Sequence, residues 1–198
     1  MIANMFNSRR LILASASPRR QELLSHLGIP FEVLKLDFNE TPESTDDPVK
    51  AALSLAGHKA DQVMHLVRPG DVVITADTVV WCNNMLLNKP ADREEAISML
   101  EILSGERHRV ITGVCLFSGI SRETFYSETF VKFKTLTTEE IAYYVDNYKP
   151  YDKAGAYGIQ EWIGFIGVEG ISGSYFNVMG LPVQKLYAEL TRFIENNR

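Results

Sequence analysis

Four apolar or small residues, Leu11-Ile-Leu-Ala14, run straight into a helix start, and this junction commits the chain to strand-then-helix architecture. Ser15 to Ser17 read as a short turn. Ser17 stands where an N-cap belongs, and Pro18 takes the first helical position, where a missing N–H is no loss. Leu23, Leu24 and Leu27 then fall on one face, and Gly28 closes the helix. Arg19 and Arg20 do not fit this scheme. Cations in a first turn oppose the helix dipole by about 0.3–1 kcal/mol each. Free N–H groups at the same place attract anions. Two readings stay open: a solvated pair on a capped surface helix, or a site for a polyanion such as a phosphate chain.

Downstream, helices and strands interleave. Residues 1–9 read as a lead-in and 10–198 as one domain. Phe31 to Leu36 reads as a strand and Asp37 to Asp47 as a loop. Pro48 opens a helix with an apolar stripe of Val49, Ala52, Leu53, Ala56, Ala60, Val63 and Val67, ended by Pro69-Gly70. Val72 to Trp81 is a strand interrupted at Asp77-Thr78, and Asn83-Asn84 is a hairpin turn before Met85 to Leu87. Asp92 with Glu95 and Thr137 with Glu140 mark two further helix starts. Between them, His108 to Phe117 and Thr124 to Leu136 form an antiparallel pair. Lys149 to Gly180 is rich in glycine and aromatics with little periodicity, and a last helix runs from Pro182 to about Ile194. The expectation is an α/β fold on a mixed sheet.

A net charge of −5 argues against bulk nucleic-acid binding, which needs broad basic surface, but leaves room for a small anionic ligand. Cys82 and Cys115 sit in apolar runs and read as buried free thiols, too few for a zinc site. No apolar run reaches the roughly 18 residues of a membrane span, so neither membrane nor nucleic acid is an expected partner and the cytoplasm is the expected location.

Asp77 is the second strong signal, since Val72-Val-Ile74 and Val79-Val-Trp81 drive it inward. A buried carboxylate demands a proton, a metal or a basic partner. It is either a structural Asp or a group held ready at a strand, where ligands gather in α/β folds. Thr78 is a plain β-former or lines the same site. Lys59, at the edge of its helix stripe, has the length to snorkel to water. Lys89 follows the hairpin and is either solvated or reaches into a cleft. Glu40 is a loop acid or a hard-metal ligand, and His108 reads as a strand-edge residue rather than a base. Gly155 and Gly158 permit close approach of backbone to a ligand, and Gln160 offers both a donor and an acceptor to a base edge.

The ordered set Ala14-Ser-Ala-Ser-Pro-Arg-Arg20, Ala76-Asp-Thr-Val79, Asn88-Lys-Pro90, Leu103-Ser-Gly105, Thr112-Gly-Val114, Asp152 to Gln160 and Gly173 to Pro182 resembles the Maf family of nucleotide pyrophosphatases. Ser-Pro-Arg-Arg, Ala-Asp-Thr and Tyr-Gly-Ile-Gln look like its dTTP/UTP-hydrolysing branch. The resemblance implies a strongly twisted mixed sheet flanked by helices, with a cleft between two lobes, as in Maf and ITPase-like folds. It implies hydrolysis of a nucleoside triphosphate to the monophosphate and pyrophosphate, a divalent cation (Mg²⁺ or Mn²⁺) and a homodimer. By motif position it makes Asp77 catalytic and, with Glu40, metal-binding. Arg19, Thr78 and Gln160 become specificity residues, and Ser15, Arg20, Lys59 and Lys89 substrate-binding ones. Lys149 departs from the pattern, which often has an acid there. The rival reading is a non-catalytic nucleotide-binding regulator of cell division.

Overall fold

The computed structural model describes residues 6, 9–35 and 46–197. The Glu40 assignment lies outside the described residues. One seven-stranded sheet has the order β2-β1-β3-β5-β6-β7, with β4 beside β3. β1 (Leu11–Ala14) runs parallel to both β2 (Glu32–Leu34) and β3 (Val72–Cys82). β4 (Met85–Leu87), β5 (Arg107–Ser118), β6 (Ser121–Phe133) and β7 (Val168–Ser172) join by antiparallel pairing. The mixed α/β fold read from the sequence is therefore the one observed.

Local signals account for most boundaries. The Ser17 hydroxyl accepts from Arg20 N–H at 3.4 Å and starts α1 (Pro18–Ser25), while Gly28 takes φ +66° just beyond it. Asn83 and Asn84 both adopt positive φ, 49° and 61°, as a tight hairpin between β3 and β4 requires. Asp92 caps α3 (Arg93–Leu103) by accepting from Glu95 N–H at 2.9 Å. A full capping box of Thr137 and Glu140 opens α4 (Thr138–Tyr148).

Helices cover both faces of the sheet. α2 (Pro48–Val63) lays Ala52, Leu55, Ala56, Ala60 and Val63 over Val73, Val79, Ile111 and Cys115. On the other face, α1 and α7 (Val183–Asn196) bury Leu23, Leu24, Leu186, Leu190 and Phe193 against Leu13, Ile74, Val114 and Leu116. α3 and α4 close a third cluster around Leu100, Phe133 and Tyr144. Cys82 and Cys115 are buried and unpaired as thiols. Among the described residues no helix is long and apolar enough to cross a membrane.

Several expectations are corrected. β3 is unbroken, because β5 pairs with it throughout, with Asp77 opposite Gly113 and Thr78 opposite Thr112. The buried face of α2 uses Leu55 and Lys59 rather than Leu53, and the helix stops at Val63, before Val67. Lys149–Gly180 is well organised: a 3₁₀ turn (Ala154–Ala156), α5 (Trp162–Gly167), β7 and α6 (Tyr175–Met179) are each too short to leave a periodic signature.

His108 is fully buried, not at a strand edge; its ring packs edge-on against Phe133 and Tyr157, and Nε2 meets the Tyr157 hydroxyl at 2.8 Å. Burial pushes its pKa from 6.5 down to about 3. The unfolded chain therefore binds this proton more readily. The stability His108 confers is complete above about pH 6.5 and is lost as pH falls toward 3. His108→Gln, which keeps a polar partner for Tyr157, is expected to flatten the fall in urea midpoint between pH 7 and pH 4.5. An unchanged slope would remove His108 from the acid sensitivity.

The β3 edge carries the cleft. β1 pairs with Val72 to Ile74 and β4 with Val80 to Cys82, so residues 75–79 have no strand partner on that side among the described residues. Asp77 and Thr78 reach this gap from opposite faces of the strand.

Candidate active site

A cleft open to solvent lies at the gap. Its lining includes Arg19, Arg20, Asp77, Thr78, Lys89 and Gln160, residues singled out from sequence. α1 delivers the arginines, β3 the Asp-Thr pair, the turn after β4 delivers Lys89, and the segment after the 3₁₀ turn delivers Gln160. The hydrogen bond from Gly155 N–H to the Asn88 carbonyl, at 3.1 Å, ties the last two together.

Asp77 is buried and paired with Lys59, whose ammonium bonds Oδ1. Lys59 is itself buried, so it does not snorkel to water as its place on α2 suggested. The ammonium gives this buried carboxylate the basic partner that burial demands. Arg20 donates through Nε to the Gly180 carbonyl at 2.8 Å and through Nη2 to Thr78 at 3.1 Å. Arg19 crosses the cleft mouth to Asp152, at 2.7 Å. Burial pushes the Asp152 carboxyl up, but hydrogen bonds from Lys153 and Arg19 outweigh it and hold its pKa below the usual range. Ser15 lies behind the turn, where its hydroxyl accepts from Ser17 N–H at 3.2 Å; Ser17, not Ser15, lines the cleft.

The lining combines charged groups, Lys89, Arg20 and Asp77 among them, with apolar Val110, Val178 and Met179 and the ring of Tyr157. The buried Gln160 Oε1 has no hydrogen-bond partner among the described residues, an arrangement that suits a ligand's polar edge. Asp152 and Lys153, which the sequence marks only as the start of a matching motif, line the cleft as well. Sequence reasoning gave no individual role to Thr112 and Asn177, buried behind Thr78 and visible only once the strands are paired.

Fold and site together define a mixed α/β protein with a charged and polar cleft at the open edge of β3. The chain belongs to the Maf family: the model for Maf-like proteins matches residues 10–193. A dTTP/UTP pyrophosphatase of Bacteroides fragilis is 51% identical over 191 residues, 96% of this chain and 98% of the relative. One from Phocaeicola vulgatus is 53% identical over 184 residues, 92% and 95% of the two chains. Among solved structures, the Staphylococcus aureus Ham1 protein is 12% identical with a TM-score of 0.48, covering 96% of this chain and 100% of that one. The family resemblance read from the ordered motifs is borne out.

Proposed function

We propose that this chain hydrolyses nucleoside triphosphates between the α and β phosphates, with dTTP, UTP and modified pyrimidine nucleotides as substrates, releasing the monophosphate and pyrophosphate. The observation that carries this reading is the convergence of Arg19, Arg20 and Lys89 on one cleft with a buried, lysine-paired Asp77. Family membership and the names of the relatives support it.

In this reading Arg20 and Lys89 neutralise the phosphate chain and the charge growing on the leaving pyrophosphate. Lys59 holds the Asp77 carboxylate in place. Asp77 takes a proton from the attacking water. Ser15 shapes the turn that presents Ser17 and the arginines. Arg19, Thr78 and Gln160 hold the nucleobase end.

The donor set also fits a hard cation. Among the described residues no cluster of three or more His, Cys, Asp or Glu is assembled, but a Mg²⁺ or Mn²⁺ held largely by substrate phosphates needs only one or two carboxylates. Asp77 offers the oxygen not bonded to Lys59, and Glu40 is the second candidate. When bound, the ion supplies charge neutralisation and a more acidic water.

The deciding experiment incubates the protein with dTTP or UTP and Mg²⁺ and measures both pyrophosphate and orthophosphate. Pyrophosphate with a stoichiometric monophosphate is expected; orthophosphate alone indicates a phosphatase, and no release indicates a binding regulator. Arg20→Ala removes a charge-assisted contact worth about 1.5–3 kcal/mol, so kcat/KM for dTTP should fall about 10–150-fold. An unchanged kcat/KM would take Arg20 off the phosphates. The chain acts in the cytoplasm as a homodimer, in keeping with exposed Tyr126, Tyr175 and Phe176 on β6 and α6, elements that pack together. Light scattering reads that state directly.

A further inference from the structure

The Thr112 hydroxyl has one proton, and its neighbours decide where that proton goes. Thr112 Oγ1 lies 3.1 Å from the backbone carbonyl of Asn177 and 2.9 Å from Thr78 Oγ1. A carbonyl only accepts. The Asn177 carbonyl also accepts from Gly180 N–H at 3.0 Å, so the direction follows from comparing bond lengths: with Thr112 donating to Asn177 and Thr78 donating to Thr112, the two bonds are 3.1 and 2.9 Å. The alternative acceptor for the Thr78 proton is the Gly180 carbonyl at 3.5 Å, long for such a bond and already taking Arg20 Nε at 2.8 Å. The reverse arrangement, Thr112 to Thr78 to Gly180, exchanges the 3.1 Å bond to Asn177 for this long one. On its other side Thr78 Oγ1 meets Arg20 Nη2 at 3.1 Å, and a guanidinium only donates. In the arrangement with the shorter bonds, donation runs from Arg20 to Thr78 to Thr112 to the Asn177 carbonyl. Thr78 keeps one lone pair and no spare proton for whatever enters the cleft.

We propose that Thr112, fully buried and outside the cleft lining, is a positioning residue that fixes Thr78 as a hydrogen-bond acceptor. The site then selects a nucleobase presenting a ring N–H and rejects one presenting a ring lone pair there. Uracil and thymine carry N3–H, their only base donor; cytosine has a lone pair at N3. Gln160 cannot make this choice alone, since its amide can turn to present either oxygen or nitrogen. Val110, two residues along β5 from Thr112, and Met179, next to Gly180, line the same cleft as Thr78, and apolar neighbours suit a base better than a phosphate. This inference rests on the pyrimidine reading above, but not on turnover.

Calorimetric binding of UMP and CMP to the whole protein tests it without requiring hydrolysis. Wild type is expected to favour UMP by about tenfold or more, the usual penalty for opposing two acceptors. Thr112→Val keeps the β-branched shape and releases the Thr78 proton. The Asn177 carbonyl still accepts from Gly180 N–H at 3.0 Å, so no buried carbonyl is orphaned. The preference should shrink to within about threefold, mainly because CMP binds more tightly. Thr112→Ser, which restores the hydroxyl, should keep the wild-type ratio. N3-methyluridine monophosphate should bind wild type as poorly as CMP, a check needing no variant. The inference is overturned if wild type does not discriminate, if the valine variant keeps the wild-type ratio, or if the N3-methyl nucleotide binds like UMP. Absence of pyrophosphate release would sink the hydrolytic reading instead and leave these binding ratios readable.

Discussion

Asp77→Asn is expected to remove pyrophosphate release, by about a thousandfold or more, from a protein that still folds. The carboxylate lines the cleft, on the stretch of β3 edge without a strand partner among the described residues, with its Oδ1 already held by Lys59. The amide keeps an oxygen for that ammonium, so the strand has no reason to come apart. It loses the negative charge that takes a proton from water and that attracts a cation. Circular dichroism and a melting curve verify the fold, and a pyrophosphate assay with dTTP and Mg²⁺ reads the chemistry. Turnover near that of wild type would remove Asp77 from the reaction.

The second large effect falls on stability, at the residue opposite Asp77 in the sheet. Gly113 pairs with Asp77 across β3 and β5, and a Cβ there would run into the backbone of Ala52 in α2. Backbone cannot swing aside as a side-chain tip can, so Gly113→Ala must push the helix off the sheet. Overpacking costs about 1–3 kcal/mol where side chains absorb it; about 3 kcal/mol or more is expected here. For a chain of this size that is a melting temperature lower by roughly 6–12 °C. Activity should fall as well, because α2 carries Lys59. A melting temperature within a degree of wild type would show that α2 shifts freely over β5.

These two residues also mark what a linear reading can and cannot see. Ser17-Pro18, Asn83-Asn84 and Thr137 with Glu140 act within a few residues of themselves, and each produced the turn or cap its chemistry implies. Asp77 announced itself by contrast with the valines around it. Gly113 did not, because its lack of a side chain matters only when α2 crosses β5. Lys59 read as a stripe-edge lysine until β3 brought Asp77 under it. The polar pair Asp77-Thr78 read as a break in β3, but Lys59 and Thr112 satisfy those side chains from neighbouring elements and the ladder runs through. His108 read as peripheral since nothing nearby in sequence foretells Phe133 and Tyr157 closing over it. Lys149 to Gly180 resisted reading because its elements are shorter than the period that would reveal them.

The gap on one edge of β3 has a mechanical side. On its opposite edge the same strand is hydrogen-bonded to β5 without interruption from Val73 to Trp81, directly behind Asp77 and Thr78. Widening the gap between β1 and β4 would bend that whole ladder, so the sheet holds Asp77 and Thr78 at a fixed spacing. Whatever enters the cleft meets these two side chains on a stiff strand, while the other lining residues come from separate elements.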